Sequence, residues 1–186
     1  ARKEERHMRK SVSAMKDKTK RLYLIGGPMG VGKTTAGQLL KIKLDNCVFL
    51  DGDWCWDMKP FQVTPETKKM VIENICFLLN NFIRCPAYEN IIFCWVMHEQ
   101  TIVDNIISRL NTENCSIIKI SLICTDKMLR ERLEKDVAEG VRESDVISTG
   151  LAYLPLYSKV GSVKIDTSEK TPEEVVEEII NMSDNV

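Results

Sequence analysis

Residues 21–44 read RLYLIGGPMGVGKTTAGQLLKIKL, and this stretch decides the fold. Arg21 to Ile25 is a short apolar run of strand length, stopped by Gly26-Gly27. Ala36, Leu40 and Leu44 recur at helical spacing. Between them, Gly27-Pro28-Met29-Gly30-Val31-Gly32-Lys33-Thr34 fits G-x-x-x-x-G-K-[ST], with a strand before it and a helix after it, the context that gives this pattern meaning. Glycines let successive backbone amides curl around phosphate oxygens. The helix that follows turns its unpaired N–H groups and partial positive charge toward the same anion. Lys33 is placed to reach the β- and γ-phosphates of a nucleotide, Thr34 to give its hydroxyl to Mg²⁺, and Thr35 to complete the cradle.

Outward from the loop, apolar runs alternate with amphipathic stretches. Strands are expected at Cys47 to Leu50, Ile91 to Val96, Ser116 to Ile123 and Val163 to Ile165. Helices are expected after Thr64-Pro65, with Thr64 as cap and Pro65 at the first helical position, through Ile102 to Leu110, through Leu129 to Val137, and after the capping box Thr171-Pro172-Glu173-Glu174. Strands separated by helices require crossover connections, hence a mostly parallel sheet covered on both faces. The expectation is a single α/β domain over about 21–186, preceded by a basic extension over 1–20.

Composition agrees with one soluble domain. The chain has 186 residues, 44% hydrophobic and 28% charged, which excludes disordered and fibrous classes. Its longest apolar run, Ile91 to Met97, is seven residues, against the roughly 20 of a membrane span. Residues 1–21 carry nine Lys/Arg and three Asp/Glu, a net of +6, so the remainder carries −7. An acidic body argues against a nucleic-acid surface, and the basic extension reads as a solvated segment. The seven cysteines form no C-x-x-C, which argues against zinc ribbons and dithiol redox sites and for a reducing, cytoplasmic setting. Neither a membrane nor a nucleic acid is expected as partner, and oligomeric state stays open.

A second acidic signal follows the second strand: Asp51-Gly52-Asp53. Ligands in open parallel sheets sit beyond the carboxyl ends of the strands, so this pair shares an edge with the loop. One carboxylate can hold Mg²⁺ and the other can accept an acceptor hydroxyl's proton or orient it. The third strand ends Trp95-Val96-Met97-His98, without an acidic residue, which puts more weight on Asp51 and Thr34 as metal ligands.

A short chain with this loop and a D-G-D pair after the second strand resembles the small-molecule kinases of the nucleoside monophosphate kinase superfamily, particularly the shikimate, gluconate and adenylylsulfate kinases and the chloramphenicol phosphotransferase type. The resemblance covers nearly the whole body. It implies a three-layer P-loop NTPase fold with a five-stranded parallel sheet in the order 2-3-1-4-5, ATP and Mg²⁺ as cofactors, and a mobile lid, here over about 134–150. It implies metal or base duty for Asp51 and acceptor contact for Asp53. It further implies lid arginines on the transferring phosphoryl group, here Arg132 and Arg142, and a nucleotide-base frame at Asp166-Thr167. The acceptor pocket is expected from Trp54, Trp56, Trp95 and His98, with Arg84 a nearby cation. Three tryptophans near one edge suit a ring-shaped or partly apolar acceptor. The arginine-rich pattern that holds an acceptor phosphate is not obvious, so a hydroxyl acceptor is preferred. The alternatives are a nucleotide or nucleoside kinase and a regulatory nucleotide-binding module with little catalysis.

Overall fold

The protein is described as a computed structural model covering residues 19–183; the basic extension therefore lies almost entirely outside the described residues. Five strands, β1 (Lys20–Gly26), β2 (Cys47–Asp51), β3 (Asn90–Cys94), β4 (Cys115–Ile123) and β5 (Val163–Asp166), form one parallel sheet in the order β2-β3-β1-β4-β5. The helices are α1 (Lys33–Lys43), α2 (Pro65–Arg84), α3 (Gln100–Ile107), α4 (Asp126–Ala138), α5 (Asp145–Tyr153) and α6 (Pro172–Ser183). The expected order and helical layers are both present. Lys20, assigned from sequence to the extension, opens β1; its Nζ donates to the carbonyls of Cys85 and Tyr88.

Alternation along β1 divides the core in two. Leu22 and Leu24 face Val71, Ile75 and Leu79 of α2 and Val103 and Ile106 of α3. Tyr23 and Ile25 face Ala36 and Leu40 of α1, Leu129 and Leu133 of α4 and Val176 and Ile179 of α6. Central strands buried on both faces must be apolar throughout, and Ile91, Ile92, Phe93 and Cys94 of β3 are all buried.

Helix starts follow their caps. Thr64 accepts from the amide of Thr67, and the Thr67 hydroxyl accepts from the amide of Thr64. The Thr171 box closes the same way through Glu174. Each such cap contributes about 1 kcal/mol.

The stretch expected as a lid, 134–150, is divided between two helices and the turn that joins them. Residues 134–138 are the last turn of α4, and α5 begins at Asp145. Val146, Ile147 and Leu151 pack against the core. Gly150 lies so close to Leu133 that an added Cβ would come within 2.8 Å of its Cδ1. Residues 139–144 form the exposed turn between the two helices, with Gly140 at φ +72°. The sequence hid this because Val146, Ile147 and Leu151 make an interrupted apolar face that packing completes.

Candidate active site

The carboxyl ends of β1, β2 and β3 meet at one edge, where the glycine-rich loop leaves β1. Gly27, Gly30 and Gly32 take φ values of +152°, +77° and +101°. At Gly27 this is doubly required, because a Cβ would also come within 2.8 Å of the Leu122 carbonyl oxygen. Gly32 caps α1 without a side-chain hydrogen bond, and the first turn of α1 holds no acidic residue. The helix's N-terminal donors are thus not spent on a side-chain cap, which fits a triphosphate.

Lys33 folds back across the loop, its Nζ donating to the Pro28 carbonyl at 2.8 Å. Burial of the amine pushes its pKa down to about 8, against the raising influence of Cys94, Asp53 and Asp51. The Arg142 charge, on the exposed turn over 139–144, lowers it a little further.

The acidic pair divides in two. Asp51 is buried at the end of β2. Its Oδ2 accepts from the Thr34 hydroxyl at 2.8 Å and its Oδ1 from the Asp53 amide at 3.1 Å. A hydroxyl and a carboxylate in contact are hard oxygen donors suited to Mg²⁺. Among the described residues no group of three or more His, Cys, Asp or Glu could hold a metal ion; an Mg²⁺ held by Thr34 and Asp51 would take its remaining ligands from phosphate and water, as is usual for that ion.

Asp53 sits one residue into a 3₁₀ turn, Gly52–Cys55. Its Oδ1 accepts from the Trp95 indole at 3.2 Å. Burial, then the Asp51 charge, push its pKa up; Lys33 and the indoles of Trp95 and Trp56 pull it back.

Asp53 opens into a cleft of about 1360 Å³ that Met29 of the loop and Arg142 also line. Trp54, Trp56, Trp95 and His98 all border it. Trp56 stands edge-on to Phe61 and to Trp95, with centroids 5.0 and 6.0 Å away. His98 stacks on Tyr153 of α5 at 4.0 Å and 6°, and burial pushes its pKa below the ordinary histidine value. Nothing local in the sequence marks Tyr153; it joins the site because α5 lies beside the end of β3.

Arg84 does not join it. The last residue of α2 on the cleft is Ile72, and Arg84 lies about 18 Å further along the helix at 1.5 Å per residue. There its guanidinium donates to Asn81 Oδ1 at 2.6 Å, at the opposite edge of the sheet. Arg132 is engaged within the protein. It donates to Thr167 Oγ1 and the Thr167 carbonyl at 2.9 and 2.8 Å, and to the Val31 carbonyl at 3.4 Å. It thereby ties the turn after β5 to the loop. Asp166 accepts from the amide and hydroxyl of Ser168, which hold its carboxyl below the usual range. Arg142 is paired with Asp136 at 2.9 Å.

The family description "AAA domain" matches residues 24–148, from β1 through the loop, the acidic pair and the start of α5. The chain belongs to the AAA domain family. Among curated proteins none matches the sequence. The fold is that of P-loop small-molecule kinases. The tunicamycin resistance protein of Deinococcus radiodurans is 21% identical, covers 88% of this chain and 95% of its own, and superimposes with a TM-score of 0.66. A gluconokinase from Sinorhizobium meliloti is 16% identical over 91% and 97%, with a TM-score of 0.65. Shikimate kinase from Aquifex aeolicus is 23% identical over 89% and 96%, with a TM-score of 0.54. Among the described residues no helix is long and apolar enough to cross a membrane, and all seven cysteines are free.

Proposed function

We propose that the chain is an ATP- and Mg²⁺-dependent phosphotransferase whose acceptor is a small molecule bearing a hydroxyl group. The observation that carries this reading is the division of the acidic pair: Asp51 is tied through Oδ2 to the Thr34 hydroxyl and through Oδ1 to the Asp53 amide, while the Asp53 side chain lines the cleft. Similarly folded proteins include a gluconokinase and shikimate kinases, which supports the same reaction class.

Lys33 and the loop amides bind the β- and γ-phosphates. Thr34 and Asp51 hold Mg²⁺, which when bound offsets charge on the phosphate oxygens. Asp53 accepts the proton of the acceptor hydroxyl. The acceptor oxygen then bonds to the γ-phosphorus, and the bond from that phosphorus to the β–γ bridging oxygen breaks, its electron pair leaving with ADP. Arg142, released from Asp136, adds positive charge near the transferring group. Trp54, Trp56 and Phe61 favour an acceptor with a ring or an apolar face, the last two meeting edge to face.

The test is ATP consumption with a panel of hydroxylated small molecules, sugars, cyclic polyols and nucleosides among them. One class should raise turnover well above the rate in water. Nucleotide binding with no acceptor-dependent turnover across the panel would favour a regulatory module instead.

A further inference from the structure

Trp95 is held more tightly than a ligand-facing aromatic requires. Its backbone amide donates to the Ile25 carbonyl at 3.1 Å, which continues the β1–β3 pairing beyond β3. Its ring lies against Gly52, where an added Cβ would come within 2.4 Å of the indole Cγ. Trp56 packs edge-on at 6.0 Å. With 9% of its surface exposed, the residue offers little area to an acceptor. Its polar atom, Nε1, is spent on Asp53 Oδ1.

We propose that Trp95 is a positioning residue for Asp53. The aspartate is held at two points: its amide is fixed by Asp51 and its carboxylate by the indole. Trp95 fixes Oδ1 and the Trp56 indole also stabilises the charged carboxylate, while the residue's exposure to the cleft leaves the group open to the acceptor hydroxyl. An indole suits this task because it donates only and carries no charge. A lysine or arginine in its place would form an ion pair and drain basicity from the carboxylate; a hydroxyl could compete for the phosphoryl group. Gly52 is part of the device, since a larger residue there would displace the ring. The inference rests on the reading of Asp53 as the group that receives the acceptor's proton.

The full chain is tested with Mg-ATP alone, water taking the acceptor's place, by phosphate release. Trp95→Phe keeps the packing and removes the donor. It should lower kcat roughly 10- to 100-fold, the range for a lost hydrogen bond to a charged group, with KM for Mg-ATP unchanged. Asp53→Ala should lower kcat at least as far, and Trp95→Phe added to Asp53→Ala should cost nothing more, because a residue acting only through Asp53 has nothing left to position. Losses that multiply in the double variant, or a wild-type kcat in Trp95→Phe, overturn the inference and leave Asp53's role standing. A wild-type rate in Asp53→Ala overturns the base assignment itself. A second measurement does not depend on turnover or on Trp95→Phe folding. The protein has three indole N–H resonances, assignable by elimination with Trp54→Phe and Trp56→Phe. That of Trp95 should move upfield and exchange faster with solvent in Asp53→Ala. An unchanged resonance shows that the contact is not made, and the inference fails whatever the kinetics.

Discussion

Raising the pH should weaken nucleotide binding through one group, Lys33. Its amine lies under the loop with a pKa pushed down to about 8 by burial. A bound triphosphate supplies opposite charge and raises that pKa, so binding favours the protonated lysine. The sign follows. Affinity is at its plateau below about 8 and declines as pH rises through it, because the free protein must then take up a proton to bind. With a pKa of about 8, roughly nine tenths of the free protein carries the proton at pH 7 and roughly one tenth at pH 9, so Kd for Mg-ATP should rise about tenfold, about 1.4 kcal/mol. Titration calorimetry with a non-hydrolysable ATP analogue and Mg²⁺ at several pH values measures it. In buffers of different ionisation enthalpy, proton uptake on binding should also grow above pH 8. Lys33→Arg provides the control, since a guanidinium does not titrate in this range. Its affinity can differ from wild type, but the pH dependence over 7–9 should vanish. Parallel wild-type and Lys33→Arg curves would refute the assignment of the titrating group.

Asp51→Asn should weaken the Mg²⁺-dependent part of nucleotide binding, whereas Asp53→Asn should leave it intact and cut transfer by roughly 10²-fold, the scale of a lost general base; equal effects on both properties in both variants would erase the division of roles. Gly27→Ala should destabilise the fold by at least about 1–3 kcal/mol in thermal or denaturant unfolding, since it combines a disfavoured φ with a backbone clash; a wild-type melting curve would contradict the loop conformation. In hydrogen exchange, amides of 139–144 should exchange fast in the free protein and slow on adding nucleotide with Mg²⁺, while the body of α5 stays protected throughout. Fast, nucleotide-sensitive exchange extending through 146–150 would instead assign the longer stretch, 134–150, to the lid.

What the sequence determined by itself is what depends on neighbours along the chain. A phosphate cradle is built from consecutive backbone amides, so its glycines, Lys33 and Thr34 must lie in one run and can be read there. The same holds for the caps at Thr64 and Thr171, and for β3, whose unbroken apolar run reflects burial on both faces. Asp51 and Asp53 were legible as a pair because the strand before them implied the edge at which they emerge. Tertiary structure alone decided which partner each member of that pair meets. Thr34 reaches Asp51 across 17 residues and Trp95 reaches Asp53 across 42. Those contacts exist because parallel pairing sets β2 and β3 side by side and in register, Asp51 opposite Cys94. Arg84 shows the converse. Its charge and its helix were readable, but a 20-residue helix spans about 30 Å, and only packing reveals which end faces the cleft. The packing within 134–150 was hidden for a related reason: Val146, Ile147 and Leu151 form a packed face only once Gly150 lets α5 approach Leu133.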